Sequence, residues 1–200
     1  MKLKNRTMTL RVITGNPNKA KEIQQILSDI NLHIEILPLN LLEIQGSPLK
    51  IIEYKAKEAI KQSTTPVIVE DVSFNLKCLG DNLPGPYIKY FVQSIGAEGL
   101  FKIADGFKVY EAQAVISIGI IRSIDDKVVS IQSIIEGKVV KPRGQNGFGF
   151  DGCFVPNGYD KTYAEMSDEE KNLCSHRGTG FRKLAEFLKK NPTYLSEKIN

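Results

Sequence analysis

The chain has 200 residues, enough for a full hydrophobic core in one domain spanning 1–200. It is 42% hydrophobic and 25% charged, ordinary for a soluble globular protein, and its formal net charge of +4 is compatible with nucleic acid and equally with a phosphorylated metabolite. Cys78, Cys153 and Cys174 lack close pairing, which speaks against a disulfide framework or structural zinc and for a reducing, cytoplasmic setting. No apolar run reaches the ~18 residues of a membrane span and no signal-peptide core is visible, so neither membrane nor secretion is expected.

In chain order, Thr9 to Thr14 reads as a short strand, and Gly15-Asn-Pro17 turns it into a helix. Asn16 suits the N-cap and Pro17 the first helical position, with Ala20, Ile23, Ile26, Leu27 and Ile30 at helical spacing. His33 to Leu39 reads as a second strand. Leu49 to Gln62 reads as a helix with Ile52, Ala56, Ala59 and Ile60 on one face. Pro66 to Val69 is a short buried strand, directly followed by Glu70 and Asp71. Leu83-Pro-Gly-Pro86 is a rigid turn before Tyr87 to Ser94. Glu111 to Arg122 and Lys127 to Glu136 flank an Asp125-Asp126 turn as a hairpin. Phe148 and Phe150 would share one strand face, and Gly180 to Lys190 closes the chain as an amphipathic helix. Strands alternating with helices, then a hairpin, predict an α/β fold with a mixed sheet.

The chemistry-bearing residues fall between these elements. Thr14, Gly15, Asn16 and Lys19 bring backbone donors and an ammonium group to a helix N-terminus, an arrangement that attracts phosphate but is not a Walker A loop. Glu70 and Asp71 stand where α/β folds place active sites, and such carboxylates hold Mg²⁺ against a phosphate or form a solvated turn. Glu43 could add a second carboxylate. Lys55 adjoins the apolar face of its helix, so it either snorkels or points into a cleft. Lys89, from its residues alone, reads as a surface lysine. Glycine-flanked Phe148 and Phe150 suit a flat ligand or a core. Lys171, His176 and Arg177, beside Asp151 and Ser175, suit an anionic ligand with oxygen acceptors.

Five motifs in order, Thr14-Gly-Asn-x-x-Lys19, Val69-Glu-Asp71, Leu83-Pro-Gly-Pro-Tyr-Ile-Lys89, Phe148-Gly-Phe-Asp151 and Ser175-His-Arg177, together resemble the inosine triphosphate pyrophosphatase (Ham1-like) family over about residues 9–188. The 83–89 motif is similar to the eukaryotic branch and Gly178 to bacterial members. Phe150 stands where the eukaryotic branch commonly has Trp, and Gly152 where it has Pro. The resemblance implies a long, curved mixed sheet with flanking helices forming two lobes around a central cleft, and a homodimer. It implies Mg²⁺-dependent hydrolysis of ITP, dITP and XTP to the monophosphate and pyrophosphate, with Mn²⁺ as a substitute ion.

By the same resemblance, Thr14, Gly15, Asn16, Lys19, Lys55 and Lys89 bind phosphate, with Lys19 and Asp71 catalytic. Glu43 and Asp71 serve the metal. Phe148, Gly149 and Phe150 face the base, and Asp151, Lys171, Ser175, His176 and Arg177 complete base and sugar-phosphate contacts. Other classes stay open: a nucleic-acid-binding module, a non-catalytic nucleotide sensor, and a Maf-like pyrophosphatase acting on pyrimidine or modified nucleotides.

Overall fold

The computed structural model describes residues 9–28 and 33–195. Seven strands form one mixed sheet in the order β2-β1-β3-β5-β6-β7, with β4 paired to β3. β1 (Thr9–Ile13), β2 (His33–Leu37) and the first part of β3 (Val67–Leu76) run parallel, as expected of strands joined through the helices α1 (Pro17–Ile26) and α2 (Pro48–Ile60). β4 (Pro84–Gly85), β5 (Glu111–Ile121), β6 (Val129–Val139) and β7 (Phe154–Pro156) add antiparallel pairs. α3 (Ile88–Phe107), α4 (Asp168–Cys174) and α5 (His176–Lys190) complete the element set, and the sheet curls as a half-barrel between flanking helices.

Strand alternation sorts the core onto two faces. Val12, Ile68, Ile116, Ile118 and Ile120 pack against Ile23 of α1 and Phe181, Leu184 and Leu188 of α5. Further along the same face, Phe74, Leu76, Ala112 and Ala114 meet Leu100 and Ala104 of α3. On the other face Ile13, Val67, Val69 and Ile121 pack against Ile52, Ala56, Ala59 and Ile60 of α2, the stripe expected from sequence. Gly119 keeps that contact close: a Cβ there would lie 2.6 Å from the Ile52 side chain.

The caps are chemical. The Asn16 carboxamide accepts from the amides of Asn18 and Lys19, and Pro17 opens α1 as expected. Ser47 caps α2, Ser167 and Glu170 form a capping box on α4, and Ser175 caps α5. Among the described residues no helix is long and apolar enough to cross a membrane.

Several expectations need correction. The β3 strand does not stop at Val69; it runs through Glu70 and Asp71 to Leu76, because its ladder to β5 is continuous from Val67↔Ile121 to Leu76↔Ala112. The sequence masks this, since Ser73 and Asn75 break the apolar run while Val72, Phe74 and Leu76 keep the other face apolar. Segment 87–94 opens a helix that reaches Phe107 across a break at Gly96, where φ is 64°. The last helix begins at His176 rather than Gly180, and Ile30 lies outside the described residues. Phe148 and Phe150 lie in turns, not on a strand, and do not share a face. Phe150 is a core residue, stacked on Phe74 at 4.3 Å between ring centroids and edge-on to Phe154. Phe148 is only half-buried.

Phe150→Ala should therefore act as a core truncation. It should lower unfolding free energy by about 3–5 kcal/mol, measured as a shift of the urea midpoint at unchanged m-value.

Candidate active site

β1 pairs with β3 only as far as Ile13↔Val69, and β4 takes up the same edge of β3 only at Phe74. Between them, positions 70–73 of β3 have no strand partner on that side among the described residues. A cleft of about 770 Å³ opens at this gap, within the range of small-molecule sites. It is lined by the turn after β1 (Thr14, Gly15, Asn16), Lys19 of α1, the 38–43 loop with Glu43, and Lys55 of α2. Glu70 and Asp71 of β3, Lys89 and Gln93 of α3, the 148–151 loop, and His176 and Arg177 of α5 complete it.

Neighbouring strand residues point to opposite faces, so the two acids part company. Asp71 turns toward α2, where Lys55 Nζ lies 3.1 Å from its Oδ1 and donates also to the Glu70 carbonyl at 3.1 Å. Lys55 therefore points into the cleft instead of snorkelling. The second Asp71 oxygen, Oδ2, is buried without a protein partner. Burial pushes the Asp71 carboxyl above its usual range, against the pull of Lys55.

Glu70 turns to the opposite face. Its Oε1 lies 2.5 Å from Lys19 Nζ, and its Oε2 accepts from Nε and Nη2 of Arg177, both at 3.2 Å. Burial alone would raise this carboxyl; Arg177, Lys19 and Lys55 outweigh it and hold Glu70 well below the ordinary range.

From Arg177 the ion pairs continue. Arg177 Nη1 donates to Glu22 Oε2 at 2.5 Å, and Lys171 Nζ donates to Glu22 Oε1 at 2.7 Å and to Asp151 Oδ2 at 2.6 Å. Asp151 Oδ2 also accepts the Phe148 amide at 2.8 Å, fixing the loop that carries the ring. Gly147 permits this turn: its φ is +78°, and a Cβ would sit 2.3 Å from Asp151 Oδ2. Lys171 and Arg177 lie 5.0 and 5.7 Å from the Phe148 ring centroid, within cation–π range.

The structure thus gathers Thr14, Gly15, Asn16, Lys19, Glu43, Lys55, Asp71, Lys89, Phe148, Gly149, Phe150, Asp151, His176 and Arg177 around one cleft. It corrects two of the expected contacts. Lys171 does not line the cleft; it is buried between Glu22 and Asp151. Ser175 does not line it either, because its hydroxyl is spent accepting the Gly178 amide at the start of α5. Phe150 reaches the cleft from the core rather than as an exposed platform. The Asn16 carboxamide already occupies two amides of the α1 N-terminus, leaving the Lys19 ammonium as the stronger anion donor there. Lys89 and Glu43 form a looser pair at 3.4 Å on the exposed rim.

Sequence reasoning missed Glu22 altogether and gave Glu70 no role beside Asp71. A signal for Glu22 existed: it sits beside Ile23 on the buried side of α1, one turn after Lys19.

His176 is fully enclosed, near the rings of Phe150 and Tyr163, with Nδ1 unpartnered. Burial, reinforced by Arg177 and Lys171, holds it well below its ordinary value of 6.5, so the imidazole is neutral.

A family model described as the Ham1 family matches residues 10–187. The inosine triphosphate pyrophosphatase of Schizosaccharomyces pombe (strain 972 / ATCC 24843) is 41% identical over 176 residues, 88% of this chain and 93% of that one. The protein of the same name from Phaeosphaeria nodorum (strain SN15) is 42% identical over 179 residues, 90% and 93% of the two chains. Among solved structures, a HAM1 protein from Coxiella burnetii superposes with a TM-score of 0.80 at 23% identity, covering 92% of this chain and 99% of its own. The Staphylococcus aureus Ham1 protein gives 0.75 at 23%, covering 91% and 99%. At that identity the two structures speak to the fold alone.

A histidine whose pKa is depressed on folding lets the unfolded chain bind the extra proton, so it subtracts stability as pH falls below about 6.5 and nothing above it. The stability difference between wild type and His176→Gln should therefore be flat above pH 7 and shift against the wild type from pH 6.5 to 5. Urea titrations across that range read it; a flat difference would show that His176 is not held neutral.

Proposed function

The chain belongs to the Ham1 family, and from that membership we propose that it is a nucleoside triphosphate pyrophosphohydrolase. Its substrates are altered-base purine nucleotides (ITP, dITP, XTP), cleaved to the monophosphate and pyrophosphate so as to cleanse the nucleotide pool. The observation that carries this reading is the convergence of Lys19, Lys55 and Lys89 with a buried acid and a half-buried aromatic ring on one cleft. Ammonium groups answer a triphosphate, the ring answers a base, and the acid answers a water.

The carboxylates fit Mg²⁺, or Mn²⁺ in its place. Asp71 presents a buried oxygen with no protein partner, and Glu43 lies on the same cleft. No group of three acidic, histidine or cysteine ligands occurs among the described residues, which suits an ion that draws on one or two carboxylates plus phosphate oxygens and water. When bound, it supplies charge neutralisation at the phosphates and a more acidic water.

The chain's own groups then divide the work. Lys19, Lys55 and Lys89 offset the phosphate charge and stabilise the departing pyrophosphate. Asp71, its proton affinity raised by burial, orients the water that attacks the α-phosphorus and takes its proton. No covalent intermediate is needed. Phe148 stacks on the base. Arg177 spends three of its five N–H groups on Glu22 and Glu70, leaving two for a keto oxygen. Hypoxanthine and xanthine present that acceptor at position 6, whereas adenine presents an amino donor and sets donor against donor.

Three free cysteines support a reducing, cytoplasmic setting. The exposed Leu83 and Tyr90 offer apolar surface for a second copy in a homodimer.

With Mg²⁺, ITP should yield IMP and pyrophosphate by chromatography; IDP as the first product would rule the reaction out. Asp71→Asn should fold and lose about 100-fold or more in turnover, and near-normal activity at saturating Mg²⁺ would remove Asp71 from its role. Arg177→Ala should lower the ITP/ATP ratio of kcat/KM. It should also destabilise the fold by about 3–5 kcal/mol, because Glu22 and Glu70 lose a buried partner.

A further inference from the structure

We propose that Glu70 is the positioning residue of this site, a single carboxylate that holds the phosphate-end Lys19 and the base-end Arg177 in fixed relation. The inference rests on the reaction proposed above. Glu70 divides its oxygens between the two cations, Oε1 in an ion pair 2.5 Å from Lys19 Nζ and Oε2 accepting from Arg177. Asp71 instead pairs with Lys55 on the other side of β3.

Its side chain is 1% exposed, so the pairs are barely screened. It springs from β3 where the ladder to β5 is unbroken, so the carboxylate is anchored on a hydrogen-bonded strand. Its carbonyl additionally accepts from Lys55. Lysine side chains carry substantial rotamer entropy, and one tied at its tip to a fixed carboxylate is already ordered when the substrate arrives. The rim pair Lys89–Glu43, at 3.4 Å and largely exposed, lacks this property.

The test compares Glu70→Gln with Glu70→Asp in the full chain. Glu70→Gln keeps the volume but removes the charge and turns an amide donor toward Lys19 or Arg177. Loss of one negative charge beside Lys19 should tighten binding of inorganic pyrophosphate, by about threefold or more in calorimetry. In the same variant kcat for ITP should fall about tenfold or more, and the ITP/ATP ratio of kcat/KM should fall with it. A packing role predicts instead that pyrophosphate affinity and kcat drop together at an unchanged ITP/ATP ratio, and that result would overturn the inference.

If Glu70→Gln does not fold, Glu70→Asp carries the test. It keeps the charge but is one methylene too short to span both cations. Pyrophosphate affinity should stay within about threefold of wild type while the ITP/ATP ratio falls; an unchanged ratio overturns the inference. A wild-type chain that releases no pyrophosphate from ITP refutes the reaction and not the tie. The pyrophosphate titration of Glu70→Gln then decides alone, tighter binding supporting it and unchanged or weaker binding overturning it.

Discussion

One continuous run of alternating charges, Asp151–Lys171–Glu22–Arg177–Glu70–Lys19, passes through the protein from the loop that carries Phe148 to the first turn of α1. Three acids and three bases leave it neutral, which is what makes its burial tolerable. Each interior member lies between two opposite charges, so no ion is left to bear an unpaired desolvation cost of several kcal/mol. Such a chain is a poor source of stability, since well-packed apolar residues of the same volume commonly do as well or better. What it supplies is geometry. It fastens α1, β3, α4, α5 and the 147–151 loop to one another.

The cleft itself comes from topology. β3 begins as the parallel neighbour of β1 and continues as the antiparallel neighbour of β5, outrunning β1 by the seven residues from Glu70 to Leu76. The edge left open after Val69 is where Glu70 and Asp71 fall. Strand alternation then sends one acid to the α1/α5 side and the other to the α2 side. Two adjacent residues thereby acquire opposite proton affinities. Glu70, between three cations, is held ionised, while Asp71, enclosed and facing one lysine, is pushed toward the neutral form. The opposite proton affinities of the two acids follow from a single peptide step along an extended backbone.

Much of this was legible in the sequence where the cause is local. Asn16 before Pro17 announced the α1 cap, the spacing of Ile52, Ala56 and Ala59 announced the α2 face, and Asp125-Asp126 marked the β5–β6 turn. What failed was non-local. Nothing near Ser73 and Asn75 says that β5 will supply a partner to every residue from 67 to 76. Phe148 and Phe150 alternate like strand residues, but paired turns around Gly147 and Gly149 send one ring to the cleft and the other to Phe74. Lys171 reads as a ligand-binding lysine because its charge implies exposure; tertiary contacts with Asp151 and with Glu22, nearly 150 positions earlier, explain how it is buried.

On the proposed reaction, the same ionic run bears on how base and phosphate are read together. The Phe148 amide is held by Asp151, Asp151 by Lys171, and Lys171 by Glu22, which also holds Arg177. The platform under the base and the arginine beside it therefore share one support. Arg177 in turn shares Glu70 with Lys19. A base that fits poorly against Phe148 and Arg177 pulls on contacts that also set the place of Lys19, so mismatch at the ring can be felt at the phosphates. Discrimination in such a site need not be confined to binding strength; it can enter the chemical step through the lysine that meets the departing pyrophosphate.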